Sequence, residues 1–447
     1  MAGSKFKDNI FMIKQKLLRR NAVEIYRTLV SNEKKSIKEI EKLNFEKRVK
    51  ILNYAYNNVP FYKEFYDNCS FNPNQIKNID DWENVPIITK EMIVNHNNQF
   101  LSRDVNQKYL RKSSTGGSTG VPITVFHDKR FTLETIGWRL LDWWGIKKGN
   151  NIAFVLRITK KTHISKLINK TIWFPTKRIW LDVSKMSEDD IRLFIEKYNY
   201  YKPTILQGYV GAIHHLASFI EKEKIEIHSP EAIWVTSAPI TEVQKSLIER
   251  AFKSKVYDQY GCGEIFWLAA QCKRRDGLHV FTDVRHIEYV DDNLKIVSDG
   301  TYGDTVLTDL ENYAFPIIRY MNGDRGRYLK EKCDCGLPFP LIDSVKGRTT
   351  DLLKSMNGDI IAGDYITTIF DDFPLAVKGF QVYQRKDLSI DFLVIPNYDS
   401  YDYEKIIEKV FEEFKKRFYK EQTIELKYVT EIPHDRGKTR YIVSEVD

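Results

Sequence analysis

The sequence predicts an α/β protein with a large N-terminal α/β domain, which contains a parallel sheet and a β-rich subdomain, followed by a small C-terminal α+β domain. Three observations lead to this prediction. Helix-like and strand-like segments alternate between residues 130 and 260, as in parallel sheets with helices on both faces. Short strand-like segments separated by turn residues follow between 278 and 330. Residues 352–447 combine several strand-like segments with one strongly amphipathic helix.

Length and composition limit the classes of protein that need to be considered. The 447 residues are too many for a single hydrophobic core, so two or three domains are expected. Hydrophobic residues make up 42% of the chain and aromatic residues 13%, as in folded globular proteins. The formal charge of +8 is dispersed among 61 acidic residues without a long block of like charge. This dispersion favours a small anionic ligand and argues against a nucleic-acid-binding protein.

Cysteine content and hydropathy predict the compartment. The chain has no apolar segment of transmembrane length, and its N-terminus lacks the pattern of a signal peptide. The five cysteines are few and odd in number, which fits a reducing environment. We therefore expect a cytoplasmic protein.

Residues 1–100 are predicted to be mainly helical. One face of the first helix carries four apolar residues, Ile10, Ile13, Leu17 and Leu18, with lysine and arginine around them. Such a helix either docks on the main domain or lies on a membrane surface. Docking is the more common arrangement for a helix with an apolar stripe.

The alternating region defines where ligands are expected. The predicted helices cover residues 130–144, 188–201, 208–224 and 241–252, and the predicted strands cover 151–156, 204–206, 232–236 and 256–260. Ligands of parallel sheets bind beyond the carboxyl ends of strands. Two segments occupy such positions: Ser237, Ala238 and Pro239 after one strand, and residues 260–264 after the next.

The remaining elements are shorter. In the β-rich region we predict strands over residues 278–281, 285–290, 294–297, 304–307, 316–320 and 326–329. In the C-terminal region we predict helices over 365–370 and 403–418 and strands over 377–385, 389–395 and 423–429.

A segment rich in glycine and hydroxyl groups precedes the alternating region. It consists of Ser113, Ser114, Thr115, Gly116, Gly117, Ser118, Thr119 and Gly120. Glycines allow backbone N–H groups to approach an anion closely, and hydroxyl groups add further donors. The segment lacks the lysine of a Walker loop and the spacing of a dinucleotide-binding loop. On its own it is equally consistent with a phosphate-binding loop and with a flexible linker.

Four residues have the side chains of a structural zinc site, namely Cys272, His279, Cys333 and Cys335. One histidine and three cysteines are a common tetrahedral ligand set. Their spacing is irregular, with Cys-x-Cys in place of Cys-x₂-Cys, so buried free thiols remain the alternative.

Five motifs in this order resemble those of the adenylate-forming superfamily, most closely the phenylacetate–CoA ligase family and its capsular-polysaccharide branch. The motifs are SSTGGSTGVP (113–122), YGCGE (260–264), GD (323–324), GRTTD (347–351) and GKTR (437–440). Further similarity at residues 58–62 and 85–91 extends the resemblance over nearly the whole chain.

The resemblance implies an acyl-adenylate synthetase architecture. The N-terminal domain would cover residues 1–347, with the β-rich, zinc-bearing subdomain at about 270–345, and the mobile C-terminal domain would cover 352–447. The hinge would lie at 348–351. Many relatives carry an acidic residue two positions after the hinge arginine, whereas this chain has Thr350 there, followed by Asp351, so the pivot residue stays open.

The resemblance also assigns roles to individual residues. Lys438 would be catalytic, Glu264 would hold Mg²⁺ against the ATP phosphates, and Asp324 would accept the ribose hydroxyls. The cysteine–histidine set would hold a structural Zn²⁺. The remaining ATP contacts would be residues 113–120 with Ser237, Ala238, Pro239, Tyr260, Gly261 and Arg348. An acyl pocket is expected near Gln207, Tyr209, Val210 and Trp234.

The activity implied is ATP-dependent activation of a carboxylic acid as an acyl-adenylate, with release of pyrophosphate. The acyl group would then pass to CoA, or to an amine such as an amino sugar or amino acid in surface polysaccharide biosynthesis. The partners would be small molecules, with a peripheral contact to membrane-linked polysaccharide machinery. Two alternatives stay open: an adenylyltransferase that leaves AMP on an acceptor hydroxyl, and a nucleotide-binding assembly protein without catalytic activity.

Overall fold

The computed structural model describes residues 2–115, 123–158, 171–184, 186–238, 240, 242–343, 353–361, 366, 369–370, 373, 376–398, 400–432 and 442–446. Residues 116–120, Pro239, the hinge segment with Arg348, and Lys438 lie outside the described residues. Half of the helix predicted over 365–370, namely residues 365, 367 and 368, lies outside them as well.

The N-terminal part is helical, as predicted. Its helices are α1 (Ala2–Leu18), α2 (Arg20–Asn32), α3 (Ile37–Asn58), α4 (Pro60–Asn68) and α5 (Lys90–Asn95), the last preceded by β1 (Ile88–Thr89). Helix α3 begins with a capping box, because the Ser36 hydroxyl accepts from the Glu39 amide while the Glu39 carboxylate accepts from the Ser36 amide. Pro60 occupies the first turn of α4, where its missing N–H costs no hydrogen bond.

The alternating region forms an eight-stranded sheet, which confirms the predicted α/β class. Its strands are β4 (Ile152–Leu156), β5 (Arg178–Asp182), β6 (Ile205–Tyr209), β7 (Ala232–Thr236), β8 (Val256–Tyr260), β9 (Ala269–Ala270), β10 (Leu278–Val280) and β14 (Leu341–Ile342). The order across the sheet is β14-β10-β9-β8-β7-β6-β4-β5. The five strands from β8 to β5 are parallel, and the other three continue the sheet in antiparallel pairing.

Helices cover both faces of this sheet. They are α6 (Glu134–Trp144), α7 (Glu188–Tyr201), α8 (Val210–Lys222) and α9 (Glu242–Phe252). Helices α7 to α9 share one apolar core with the sheet, and α6 packs on the opposite face in another. The prediction started α8 two residues too early, because β6 continues through Gln207 to Tyr209 before the helix begins.

A second sheet contains a strand that the sequence prediction divided wrongly. Its strands are β11 (Arg285–Val290), β12 (Gly303–Asp309) and β13 (Tyr320–Gly326), with β1 parallel to β13. The strands predicted at 316–320 and 326–329 are therefore wrong, and 294–297 forms only one bridge, between Val290 and Ile296. Asn322-Gly323-Asp324 looks like a turn in the sequence. Gly323 instead has φ +83° within β13, where the pairing with β12 shifts register, so the strand bulges and continues.

Two paired strands flank residues 116–122 in the sequence and form a hairpin. It consists of β2 (Leu110–Thr115) and β3 (Ile123–Asp128), and its last pair joins Thr115 to Ile123. Ile123 and Val125 are fully buried in the same core as Ile265, which follows β8. Strand β3 is therefore packed against the region that follows β8.

The C-terminal part has an apolar core of its own. It contains β15 (Leu353–Lys354), β16 (Ile360–Ile361), β17 (Val377–Gln384), β18 (Ile390–Pro396), α10 (Tyr403–Lys415), β19 (Ile424–Tyr428) and β20 (Ile442–Ser444). The four-stranded sheet has the order β19-β18-β17-β20, and α10 packs on it through Ile407, Val410, Phe411 and Phe414. Strand β20, which the sequence analysis did not predict, pairs in parallel with β17.

One arginine joins the C-terminal part to the large sheet. Arg417, which follows α10, donates from Nη1 to the carbonyl oxygen of Val183 at 2.9 Å and from Nη2 to that of Ser184. Both carbonyl groups belong to the turn after β5. The large sheet therefore contributes only main-chain atoms to this contact, and the C-terminal part contributes a side chain.

Candidate active site

The end of β8 and the bulge of β13 meet in a hydrogen-bonded cluster. The Tyr260 hydroxyl donates to Asp324 Oδ2 at 2.8 Å, and Asn322 Nδ2 donates to the same oxygen at 2.6 Å and to the Tyr260 hydroxyl at 3.0 Å. Asp324 is only 3% exposed. Burial, followed by the nearby Asp324 charge, raises the pKa of Tyr260 well above its ordinary value, so the tyrosine keeps its proton and acts as a donor.

Glu264 is hydrogen-bonded to β13, the strand that also carries Asp324. Its Oε1 accepts from the Tyr320 hydroxyl at 3.2 Å, and Tyr320 is four residues before Asp324 in β13. Glu264 is 5% exposed and forms no salt bridge within the described ranges. A buried carboxylate is costly unless a cation or hydrogen bonds compensate its charge. The buried carboxylate of Glu264 is therefore suited to contribute one oxygen ligand to a hard cation such as Mg²⁺.

The backbone between Tyr260 and Glu264 has little free space. A Cβ atom on Gly261 would lie 2.8 Å from the Trp267 backbone nitrogen and 3.0 Å from Gln259 Nε2, so a side chain there would force the backbone apart. Downstream, Arg285 donates from Nε and Nη2 to the carbonyl oxygen of Phe266, at 3.1 and 3.0 Å. These contacts hold the segment in one conformation.

His127 of β3 connects the hairpin to this segment, and the sequence analysis missed it. Its ring centroid lies 4.5 Å from that of Phe266, and its ring is hydrogen-bonded to the backbone of Gly263. Burial, together with the charges of Arg111 and Arg285, lowers the pKa of His127 to about 3, so the imidazole is neutral. It therefore acts as a positioning residue. No motif marks it in the sequence, because its partners are distant along the chain.

A second buried acid, Asp258, lies two residues before Tyr260 in β8. Burial raises its pKa from 3.8 to about 7, although a hydrogen bond from the Gln259 backbone and the charge of Lys245 oppose the change. The folded protein thus retains a proton that the unfolded chain releases above about pH 4. The contribution of this group to stability is complete below that pH and is lost as the pH rises to about 7.

We therefore expect Asp258→Asn to stabilise the protein more at pH 8 than at pH 5. The difference between 3.8 and about 7 corresponds to at most about 4 kcal/mol. The melting temperature of the variant relative to the wild type should rise by several degrees between the two pH values. Asp292→Asn, in an exposed turn, serves as the control and should show no such trend. If the difference in melting temperature between Asp258→Asn and the wild type is the same at both pH values, the raised pKa of Asp258 is contradicted.

The four residues predicted for the acyl pocket are divided between the two faces of the sheet. Gln207 pairs with Trp234 of β7 and Phe154 of β4, so these three side chains share one face. Val210, the first residue of α8, is buried in the core on the other face and is only 1% exposed, and Tyr209 at the end of β6 is partly buried against that core. Val210 therefore does not line a pocket with Trp234, and the predicted grouping is wrong in this respect.

The cysteine–histidine set comes together at the antiparallel edge of the large sheet. The Sγ atoms of Cys272 and Cys333 are 3.6 Å apart, and Cys335 Sγ lies 3.2 Å from His279 Nε2. All four ligand atoms lie within 4.8 Å of one another. His279 Nδ1 donates to the carbonyl oxygen of Phe339 at 2.8 Å, which directs the Nε2 lone pair at the thiols.

These distances suit a tetrahedral zinc site. Zn–S and Zn–N bonds of about 2.3 and 2.1 Å place ligand atoms roughly 3.5–3.8 Å apart. Cysteine binds zinc as the thiolate, and binding of the metal displaces the thiol protons.

The other residues predicted to contact ATP, where the structure describes them, lie at the ends of strands. Ser113, Ser114 and Thr115 form the end of β2. Ser237 and Ala238 follow β7, and Ser237 has φ +80°. Tyr260 and Asp324 therefore meet at the carboxyl end of the parallel strands, and Glu264 contacts the same strand β13 through Tyr320.

Comparison with known proteins gives matches over the whole chain. Residues 353–445 match the family model of the CapK C-terminal domain. The chain is 26% identical to protein CapK of Staphylococcus aureus over 462 aligned positions, covering 98% of this chain and 95% of CapK. It is 23% identical to phenylacetate–coenzyme A ligase of Thermus thermophilus over 373 positions, covering 79% and 80% of the two chains.

A solved structure shares the fold. 2-Hydroxyisobutyryl-CoA ligase, in complex with 2-HIB-AMP and CoA in the thioesterification state, matches with a TM-score of 0.64 and 18% identity, covering 93% of this chain and 91% of that one. The chain therefore has the fold of an adenylate-forming CoA ligase. Its sequence is homologous to CapK and to the phenylacetate–CoA ligases, as its motifs indicate.

Proposed function

We propose that the protein activates a carboxylic acid with ATP and transfers the resulting acyl group to a nucleophilic acceptor. In the first step, a carboxylate oxygen attacks the α-phosphorus, the bond from that phosphorus to the β-phosphate oxygen breaks, and pyrophosphate leaves. In the second step, the acceptor attacks the acyl carbon, AMP leaves, and the acceptor loses a proton. The alternatives of an adenylyltransferase and of a non-catalytic binding protein differ in their products.

The observation that carries this proposal is the contact between Tyr260 and Asp324, together with the hydrogen bond that joins Glu264 to the same strand as Asp324. Their motifs are separated by about sixty residues in the sequence, yet Tyr260 and Asp324 are 2.8 Å apart and Glu264 contacts the same strand. The hairpin that presents the glycine-rich segment is anchored to the same region through His127. These contacts support the proposed roles of Asp324 as ribose acceptor, of Glu264 as metal ligand and of residues 113–120 as phosphate loop.

Each residue has a definite task in this proposal. Asp324 accepts hydrogen bonds from the ribose, since a carboxylate can accept from two vicinal hydroxyls. Glu264 holds the Mg²⁺, which neutralises charge on the ATP phosphates. Residues 113–120 enclose the phosphates, and Lys438 neutralises the charge that develops between the carboxylate and the α-phosphate. Ser237, Ala238, Pro239 and Arg348 complete the nucleotide contacts.

The acceptor and the role of zinc are further parts of the proposal. The names of the relatives favour CoA, and an amine remains the other candidate. The similarity to CapK supports a role in surface polysaccharide biosynthesis. The set of Cys272, His279, Cys333 and Cys335 would hold Zn²⁺ as a structural ion, because four protein ligands leave no open position for a substrate.

The test is carboxylate-dependent exchange between ATP and labelled pyrophosphate, using a panel of aromatic, aliphatic and sugar acids with Mg²⁺. At least one acid should support exchange above that of Lys438→Ala. If no acid does so, the ligase proposal fails. Formation of a stable AMP conjugate on a hydroxyl compound, in place of free AMP, would support the adenylyltransferase instead.

A further inference from the structure

Helix α1 is docked on the protein through one face. Phe11 and Gln15 are fully buried, and the Phe11 ring centroid lies 5.7 Å from that of Trp138 and 5.9 Å from that of Trp173. Gln15 Nε2 donates to the carbonyl oxygen of Ile172 at 2.9 Å. These contacts fix the rotation of the helix about its axis.

The opposite face of α1 is apolar and exposed to solvent. Phe6, Ile13 and Leu17 are 68%, 62% and 78% exposed, and Ile10 lies between them. At about 100° per residue these four residues form one stripe, roughly 60° wide, on the side opposite Phe11 and Gln15. We refer to Phe6, Ile10, Ile13 and Leu17 as the α1 stripe.

The charges around the α1 stripe are positive. Lys7 borders it on one side and Lys16 on the other, and both are exposed. The one acidic residue of α1, Asp8, faces the protein and accepts from the Gly149 amide at 3.1 Å. Phe174, 59% exposed, enlarges the apolar surface beside α1, since its ring lies 5.3 Å from Lys14 Nζ.

We propose that the α1 stripe lies on the surface of an anionic lipid bilayer. Exposed aromatic and aliphatic side chains bordered by lysines are what a helix in the membrane interface requires, with the apolar groups among the acyl chains and the ammonium groups at the lipid phosphates. No helix in the described part of the chain is long and apolar enough to cross a bilayer. The contact is therefore peripheral, and it does not depend on the proposed reaction.

A second copy of the chain is a poorer occupant of the same surface. A two-fold dimer would bring the same patch of each copy together, so the lysines would face lysines, and the carboxylate of α1, Asp8, faces the protein and could not pair with them. Four side chains on one helix also provide little of the roughly 1,200–2,000 Å² that a stable interface buries. An anionic bilayer satisfies both the apolar stripe and its charges.

The test is flotation of the full-length protein with vesicles of phosphatidylglycerol and phosphatidylcholine in equal amounts, and with phosphatidylcholine vesicles alone. We expect binding to the anionic vesicles that weakens with salt, and at least tenfold weaker partitioning for the double variant Phe6→Ser/Leu17→Ser. Lys7→Gln and Lys16→Gln should each weaken binding about fivefold. Tyr200→Ser, at a 79% exposed position on α7, is the matched control and should bind like the wild type.

Three results would overturn the proposal. The first is absence of flotation with anionic vesicles. The second is equal flotation of the wild type and Phe6→Ser/Leu17→Ser, with unchanged melting temperatures showing that both are folded. The third is a loss of dimer in sedimentation analysis of the same variant without a change in vesicle binding, which would assign the α1 stripe to self-association.

Discussion

Replacing Glu264 by glutamine is expected to lower carboxylate-dependent ATP–pyrophosphate exchange by about 10²–10³-fold, the usual cost of losing one charge-stabilising group in a reacting centre. The substitution keeps the shape of the side chain and removes the negative charge that would hold Mg²⁺. The concentration of Mg²⁺ for half-maximal exchange should rise at the same time. This second measurement separates loss of a metal ligand from a general loss of activity.

The control for this prediction is Tyr320→Phe, which keeps the Glu264 carboxylate and removes the hydroxyl that donates to it at 3.2 Å. Exchange should fall by about tenfold in this variant, the value of one hydrogen bond to a charged group. Its Mg²⁺ dependence should remain close to that of the wild type. Wild-type exchange by Glu264→Gln, or equal Mg²⁺ dependence of the two variants, would remove Glu264 from the metal site.

Loss of zinc from the cysteine–histidine set is expected to have the largest effect on stability. Purified protein should contain one zinc ion per chain, and Cys272→Ser should lower both the zinc content and the melting temperature, by about 10 °C or more. The reason is that the four ligands join three separate segments, and binding energy of a structural zinc ion is folding energy. Elemental analysis and thermal unfolding provide the two measurements.

Cys69→Ser is the matched substitution, because Cys69 is an exposed thiol at the end of α4, outside the set. It should change neither the zinc content nor the melting temperature. Chelation of the wild type should reproduce the effect of Cys272→Ser. Metal-free protein with an unchanged melting temperature would instead favour three free thiols in this set.

Sequence periodicity predicted the bounds of helices and strands correctly where the local sequence pattern and the tertiary packing favour the same structure. Helix α7 and strands β7 and β8 begin and end at the predicted residues, since a buried strand between turn signals and a helix capped by Ser187 are defined by their own residues. Strand β13 was mispredicted because Asn322-Gly323-Asp324 has turn chemistry. Its extended conformation depends on pairing with β12, which is distant along the chain.

The candidate site was also predicted only in part. The motif resemblance identified Tyr260, Glu264 and Asp324, but it could not predict that Tyr260 and Asn322 both donate to Asp324. His127 was missed since its role comes from contact with Phe266, to which no local pattern points. The raised pKa of Asp258 likewise depends on burial in the folded sheet. Residue types are encoded locally, whereas their environments arise from long-range packing.

The contact of Arg417 with the turn after β5 has an evolutionary consequence. Its guanidinium binds the carbonyl oxygens of Val183 and Ser184, and every amino acid supplies a carbonyl oxygen at such a position. Substitutions in that turn would therefore leave the hydrogen bonds of Arg417 intact. A deletion or an inserted residue would displace both acceptors at once, so selection should act there on the length of the turn and hardly at all on its composition.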